Sequence, residues 1–243
     1  MNEAGADIGL IGLAVMGQNL VLNMADHGFT VAVYNRTVQR TTEFIDGPAA
    51  GTTVIGTDSL KQLVASLRRP RRVMLMVQAG APVDAVIESL LPLLEPGDII
   101  IDGGNSRFSD DETNAALLAD KGIGYVDVGV SGGVWGRENG YGLMAGGSEE
   151  DIATLMPLFD ALRPEGPREE GFVHAGGIGA GHYSKMVHNG IEYGDMQLIA
   201  ESYHLLKELL GLSHERMSSI FADWNRDRLE SYLIEITADI LAF

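Results

Sequence analysis

Apolar residues along this chain fall into two alternating rhythms, short solid runs and stripes spaced for a helix. Residues 7–12 (DIGLIG) are a brief apolar run closed by glycine. Residues 19–27 follow, with Leu20, Val21, Met24 and Ala25 on one helical side and Gly28 in the stop position. Residues 29–34 (FTVAVY) are β-branched and aromatic, the composition of a buried strand. Strand, glycine turn, helix and strand in so short a stretch predict a βαβ unit.

The alternation continues. Residues 72–77 (RVMLMV), 99–102 (IIID) and 125–128 (YVDV) read as strands, while 59–67, 82–94 and 110–121 carry helical spacing. Ser148, with Asp151 three positions on, reads as a capping box opening a helix over Glu149–Leu162. Residues 1–180 therefore read as α/β, a Rossmann-like doubly wound sheet, parallel at least in its first half. The character then changes. Residues 183–210 hold no proline and no strand signal, and Leu198, Ile199, Ser202, Leu205, Leu206 and Leu209 share one helical face. Gly211 ends that helix and Ser213 starts another. Residues 234–243 (IEITADILAF) are still helical, amphipathic and apolar, which reads as an end that is cut or that packs into something. Residues 181–243 are thus expected to be a long helix beginning an all-α domain.

Composition narrows the function. With 243 residues, 45% of them hydrophobic, the chain can bury a sizeable core in one large or two modest domains. No apolar run approaches the roughly 20 residues of a membrane span, and residues 1–7 lack a signal-peptide pattern. The absence of cysteine excludes a disulfide framework and a thiolate metal site, and agrees with a cytoplasmic location. A net charge of −17 argues against non-specific nucleic-acid binding but not against small anions, which a few cations and backbone N–H groups can hold. The 31 glycines are an excess, so their positions matter.

Several glycines sit where a cofactor would. Gly12-Leu13-Ala14-Val15-Met16-Gly17 is a GxAxxG variant of the dinucleotide fingerprint, between the first strand and its helix. Gly12 permits the tight turn, the small Ala14 a close backbone approach to pyrophosphate, and Gly17 close packing of helix on strand; a plain glycine turn is the alternative. At the end of the second strand, where an NAD site usually carries a carboxylate, stand Asn35, Arg36 and Thr37, with Asn35 18 positions beyond Gly17. Arg36 would pair with a 2′-phosphate, so NADP is expected; otherwise Arg36 is a solvated turn residue. Asp102-Gly103-Gly104-Asn105-Ser106 follows a strand at the edge where such sheets bind ligands, and Asn105 offers an amide to cofactor or substrate. Ser131-Gly132-Gly133 repeats that pattern one strand later.

The strongest chemical feature is Gly181–Tyr193 (GHYSKMVHNGIEY). Lys185, His188, Asn189 and Glu192 lie at i, i+3, i+4 and i+7 of one helix, a polar stripe on an otherwise apolar surface. A helix apolar nearly all round is expected to be buried, with its polar stripe satisfied by a ligand or by itself. A partly buried lysine near other cations can act as a base, with Glu192 as a matching acid. A structural Lys–Glu network around a core histidine is the alternative.

The segments GLAVMGQNL, NRT, MVQAG, DGGNS, GVSGG and GAGHYSKMVHNGIEYGDMQLIAE together, in this order and spacing, resemble the 6-phosphogluconate dehydrogenase family over essentially the whole chain. The resemblance implies metal-free, NADP-dependent oxidative decarboxylation of 6-phosphogluconate to ribulose 5-phosphate and CO2, in the pentose phosphate pathway, by a cytoplasmic homodimer. It implies that Lys185 takes the C3 hydroxyl proton and that Glu192 protonates the enediol left by CO2. Asn105, Ser131, Gly132, Gly133, His188, Asn189 and Tyr193 match substrate positions, Tyr193 one that contacts the phosphate. The cofactor positions are Gly12, Ala14, Val15, Met16, Gly17, Asn35, Arg36, Thr37, Val77, Gln78, Ala79 and Asn105.

Three features depart from that family's pattern. Gln78 stands where a lysine near the adenine is usual. Residues 134–141 (VWGRENGY) replace an acidic, glycine-rich run and resemble the family's shorter branch, while both flanks resemble the longer one. Longer members continue into a large helical domain with further phosphate contacts and most of the dimer interface, so weak substrate binding is expected of this chain. Two other functions fit the residues: a β-hydroxyacid dehydrogenase, which shares the dinucleotide turn, the SGG segment and the lysine, and a non-catalytic NADP-binding or assembly module.

Overall fold

The computed structural model describes residues 5–243, which form two compact units divided in the sequence after Lys185. In chain order the first unit contains β1 (Ile8–Ile11), α1 (Val15–Asp26), β2 (Val31–Tyr34), α2 (Val38–Asp46), β3 (Ile55–Gly56), α3 (Leu60–Ser66), β4 (Arg72–Leu75) and α4 (Ala81–Leu90). It continues with β5 (Ile99–Asp102), α5 (Phe108–Ala119), β6 (Gly124–Ser131), α6 (Gly136–Asn139), β7 (Gly142–Gly146), α7 (Glu149–Leu162) and β8 (Phe172–Gly176). The helix α8 (Ala180–His204) begins in this unit and runs into the second.

The strands lie in the order β3-β2-β1-β4-β5-β6-β7-β8. All neighbours from β3 to β6 are parallel, β6 and β7 are antiparallel, and β7 and β8 are parallel again. The pleat explains the solid apolar runs. Ile99 and Ile101 of β5 join Met74, Leu20, Met24 and Phe159 on one face, while Ile100 joins Val73, Leu75, Ile87 and Leu118 on the other. A sheet covered on both faces needs apolar residues at every strand position. This is the doubly wound α/β architecture that the alternation predicts.

Helix α7 has the expected bounds, and the Ser148 hydroxyl oxygen accepts from the Asp151 N–H at 3.1 Å. Only half of the capping box forms, because the Asp151 carboxylate takes the Ser148 hydroxyl at 2.7 Å instead of the Ser148 N–H. Helix α1 starts four residues before its apolar stripe, since Ala14 is already the N-cap. The strands β7 and β8 have no counterpart in the sequence reading; GLMAG and FVHAG are short and glycine-bounded.

The second unit is helical among its described residues: the rest of α8, a single π turn at Leu205–Leu209, α9 (His214–Trp224) and α10 (Tyr232–Leu241). Gly211, at φ +64°, turns the chain after the π segment, and Ser213 caps α9 by accepting from the Arg216 N–H. Phe221, Ile234 and Ala238 form its core, with Ile199 and Leu206 packed against them. The apolar stripe read on the long helix is about 120° wide, and only its Ile199–Leu206 edge is covered. Leu198, Leu205 and Leu209, on the far edge, are exposed. No described helix is long and apolar enough to cross a membrane.

Candidate active site

The strand order reverses between β1 and β4, and the register aligns what leaves there. Ile11 lies beside Tyr34 and Leu75, and Leu75 beside Asp102. Gly12, Asn35, Met76 and Gly103 therefore emerge along one carboxyl-end edge. The backbone hydrogen bonds Gly12 N–H to Tyr34 O (3.0 Å), Met76 N–H to Ile11 O (2.8 Å) and Gly103 N–H to Leu75 O (3.0 Å) fix the loops that follow. In a doubly wound sheet the crevice at such a reversal is where ligands bind.

Gly12 turns at φ +106°, and a Cβ there would lie 2.2 Å from the Met76 carbonyl oxygen. Helix α1 opens on exposed Ala14 and Val15 with no side-chain cap and no acidic residue in its first turn. Its leading N–H groups and the positive end of its dipole thus face the crevice, an arrangement that suits a pyrophosphate. Met16 is half-buried and Gly17 is packed beneath the turn. The Asn35 carboxamide accepts from the Leu13 N–H at 3.1 Å and donates to the Thr37 carbonyl at 3.1 Å, tying the two loops together. Asn35 is therefore a brace of the turn, besides any contact to a ligand. Arg36 is exposed and makes no ion pair with a described carboxylate, and Thr37 is the N-cap residue of α2. Val77 and Ala79 are half-buried and Gln78 exposed beside the same turn. The residues present fit a dinucleotide.

The next loop is built by Asp102. Its carboxylate accepts from the Gly104 N–H at 3.0 Å and the Ser106 hydroxyl at 2.6 Å, which leaves Asn105 between them exposed. One strand on, β6 extends past the end of β5 and pairs with β7, carrying Ser131 opposite Gly142. Gly132 and Gly133 follow, exposed and at φ +147° and +54°, conformations that favour glycine. The departing segment 134–141 continues as a 3₁₀ turn (Gly133–Trp135) and α6, which docks on α1. Asn23 donates to the Arg137 carbonyl at 3.0 Å, and Arg137 pairs with Asp26 at 3.1 Å. The buried Tyr141 ring fills the space that Gly136 leaves open.

Helix α8 is seated by residues far away in sequence. Asp127 on β6 accepts from the N–H groups of Gly179 (2.7 Å) and His182 (2.8 Å), capping the helix. Two positions on, Gly129 makes room for Lys185: a Cβ there would lie 2.4 Å from the Lys185 Cβ. Asp127, Gly129 and Ser131 alternate onto one face of β6, so a single strand face carries the cap, the lysine gap and the candidate substrate serine. Lys185 is half-buried. His188, Asn189, Glu192 and Tyr193 lie further along the helix, in the second unit. His188 Nδ1 is 3.8 Å from the Glu192 carboxylate and 3.4 Å from the Asn189 carboxamide oxygen.

The expectation that this helix is buried all round fails. Of its residues only Gly181 and His182 are buried, while Tyr183, Met186, Val187, Ile191 and the candidate phosphate contact Tyr193 are exposed. An all-round apolar surface states what a helix needs; among the described residues full burial is reached only in its first turn, with Ile199 partly covered further on.

Sequence reading also missed a buried polar group beneath the site. Asp102, Asp111, Tyr125 and His182 are all buried and hydrogen-bonded in series. Asp102, Asp111 and His182 bring nitrogen and oxygen atoms within 4.8 Å of one another, but those on the inner side are spent on hydrogen bonds inside the group. The available signal was a polar side chain at an apolar position: Asp102 after three isoleucines, and His182 opening the long helix.

Comparison with known proteins identifies the family. Residues 7–164 match the family model described as the NAD binding domain of 6-phosphogluconate dehydrogenase, and residues 181–243 match that of the C-terminal domain of the same enzyme. The chain is 56% identical over 238 residues to the 6-phosphogluconate dehydrogenase, decarboxylating, of Haemophilus influenzae, covering 98% of this chain and 49% of that one. Against the enzyme of the same name from Rattus norvegicus it is 55% identical over 241 residues, covering 99% and 50%. The chain thus spans about half the length of the curated relatives it matches. The solved Plasmodium falciparum 6-phosphogluconate dehydrogenase, studied in its apo form and in complexes with its cofactor NADP+ and its substrate 6-phosphogluconate, superposes with a TM-score of 0.90 at 44% identity, covering 97% of this chain and 51% of that one. A Mycobacterium tuberculosis 3-hydroxyisobutyrate dehydrogenase shares the fold, with a TM-score of 0.77 at 23% identity over 95% of this chain and 74% of that one. By its sequence along nearly its whole length, the chain belongs to the 6-phosphogluconate dehydrogenase family.

Proposed function

We propose that this chain binds NADP and carries the catalytic helix for oxidative decarboxylation of 6-phosphogluconate to ribulose 5-phosphate and CO2. The observation that carries the reading is the uncapped α1 N-terminus at the strand-order reversal, flanked by Asn35 and Arg36, in a chain 56% identical to a decarboxylating 6-phosphogluconate dehydrogenase. The first turn of α1 would take the pyrophosphate and Arg36 the 2′-phosphate, with Thr37, Val77, Gln78 and Ala79 around the adenosine. When bound, NADP supplies the acceptor for the hydride leaving C3 of the sugar acid.

The rest falls to side chains of this chain. The Lys185 amine takes the C3 hydroxyl proton, and the resulting β-keto acid loses CO2. Glu192 protonates the enediol that remains. Asn105, Ser131, Gly132, Gly133, His188, Asn189 and Tyr193 are proposed to hold the substrate. A cytoplasmic location and assembly with a second copy belong to the same reading, the first supported by the absence of cysteine and the second by the exposed apolar side chains of α8.

The test is an NADP titration beside a spectrophotometric assay of NADPH formation with 6-phosphogluconate and with 3-hydroxy acids as competitors for the role. NADP binding tighter than NAD, with NADPH and CO2 formed from 6-phosphogluconate alone, is expected. Failure to bind NADP, or turnover of a 3-hydroxy acid instead, would overturn it.

A further inference from the structure

The buried polar group under the candidate site is one hydrogen short if both of its carboxylates are ionised and its histidine is neutral. The Tyr125 hydroxyl lies 3.3 Å from Asp102 Oδ2 and 2.9 Å from Asp111 Oδ1, and Asp111 Oδ2 lies 2.8 Å from His182 Nδ1. The Asp111 and His182 side chains are each 1% exposed. A tyrosine hydroxyl carries one hydrogen, and an ionised carboxylate carries none. With both carboxylates ionised, that one hydrogen serves either Asp102 or Asp111, and the other contact sets two lone-pair-bearing oxygens against each other in a dry interior. Asp102 is the less suited to carry the missing proton, because both its oxygens already accept, from the Gly104 N–H and the Ser106 hydroxyl.

The histidine adds a second constraint. An Asp111 carboxylate paired with a charged His182 would require a hydrogen on His182 Nε2, yet that nitrogen is buried and has no partner among the described residues. A buried charged donor without an acceptor is costly, whereas a bare ring nitrogen costs less. One proton on Asp111 Oδ1 removes both problems. His182, neutral with its hydrogen on Nδ1, donates to Asp111; the Asp111 acid donates to Tyr125; Tyr125 donates to Asp102.

We propose that Asp111 is a neutral carboxylic acid in the folded protein, and that the one-directional chain His182→Asp111→Tyr125→Asp102 is the device that positions the first turn of α8 against the Gly103–Asn105 loop. Asp111 is thereby a positioning residue: Asp102 sets the loop that carries Asn105, and His182 sits one turn before Lys185. The functional weight of the device rests on reading Asn105 and Lys185 as site residues; the proton assignment does not. Burial raises Asp111 above the usual carboxylate range, and its hydrogen bonds to His182 and Tyr125 pull it back only in part. Burial lowers His182, but the hydrogen bond and charge of Asp111, with the charges of Asp102 from β5 and Asp127 from β6, outweigh it. The raised Asp111 puts the extra proton on the acid, whereas the raised His182 would put it on the ring; the buried Nε2, with no acceptor among the described residues, decides for the acid. Tyr125 stays neutral, pushed up first by burial and then by Asp102 and Asp111.

Nitrogen NMR of histidine-labelled protein near neutral pH reads this directly. His182 is the single buried histidine of six, and its ring signals are identified by sequence-specific assignment. The neutral Nδ1–H form with an unprotonated Nε2 is expected; an imidazolium would overturn the proposal. The variant Asp111→Asn copies the acid, its oxygen accepting from His182 and its amide donating to Tyr125. It is expected to keep the melting temperature within about 3 °C and the NADP Kd within about threefold, while the similarly sized Asp111→Leu loses more than about 5 °C. If Asp111→Asn falls as far as Asp111→Leu, Asp111 is an ionised partner and the proposal is wrong. A neutral His182 in a protein that binds no NADP would support the proton assignment and count against the cofactor reading instead.

Discussion

Gly17 stands directly against the Gly12 carbonyl: a Cβ on Gly17 would lie 2.0 Å from that oxygen. No side-chain carbon fits there, so Gly17→Ala has to push α1 away from the turn. The expected result is NADP binding weakened at least about tenfold, with about 1–3 kcal/mol of stability lost to overpacking. Gly28→Ala is the control. Gly28 has φ +87° but open space around it, so that variant loses about 1 kcal/mol from backbone strain and leaves the NADP titration unchanged.

In the proposed site, Arg36 is the residue that selects between the two nicotinamide cofactors. Removing a charged hydrogen bond to a phosphate costs about 1.5–3 kcal/mol, or roughly ten- to a hundredfold in affinity. Arg36→Ala is expected to weaken NADP by that factor and to leave NAD nearly unaffected. Parallel titrations check it; an unchanged NADP-to-NAD ratio would remove Arg36 from the site.

Lys185 can be tested without being touched. Gly129→Ala drives a methyl into the Lys185 Cβ, 2.4 Å away in the unaltered backbone. Turnover is expected to fall toward that of Lys185→Ala, a loss of about 10²–10⁴-fold for a general base. NADP affinity in both variants should stay within about threefold of the parent, as measured by titration. Equal loss of NADP binding in Gly129→Ala would point to collapse of the sheet instead.

Tyr141 is a buried phenol whose hydroxyl has no hydrogen-bond partner among the described residues. Burial first, then the charge of Glu138, pushes it up from 10.0 to about 12. A raised folded value means that stability is intact below about pH 10 and is lost as pH climbs toward about 12, because the unfolded chain ionises first. Tyr141→Phe is expected to be neutral or to stabilise by up to about 1 kcal/mol near neutral pH. It should also flatten that alkaline decline in a series of thermal melts.

The legible and illegible parts of this molecule divide along physical lines. The βαβ unit at residues 8–34 and the helix over Glu149–Leu162 could be read because each is a local pattern: a solid run, a helical stripe, a cap, a glycine stop. The edge residues Gly12, Asn35 and Asn105 could be read because a strand that ends in Gly or Asn announces a turn, and in a parallel sheet all such turns share an edge. Asp127 and Asp111 were out of reach. Asp127 accepts from Gly179, 52 residues later, just before the helix it caps, and Asp111 meets His182 across 71; no spacing rule spans such distances. The long helix was legible as a helix but not in its exposure, since Tyr183, Met186 and Ile191 report an appetite for cover and not its presence.

Because Asp127, Gly129 and Ser131 occupy alternate positions of β6, their separation is metered by the pleat, at about 3.3 Å per residue. Insertion or deletion of one residue between Asp127 and Ser131 would rotate part of that face to the opposite side of the sheet. Depending on where it falls, the helix would lose its cap, the lysine its clearance, or the serine its aim. A two-residue insertion would preserve orientation but carry Ser131 nearly 7 Å too far. Among chains of this family, then, length should hardly vary within those five positions.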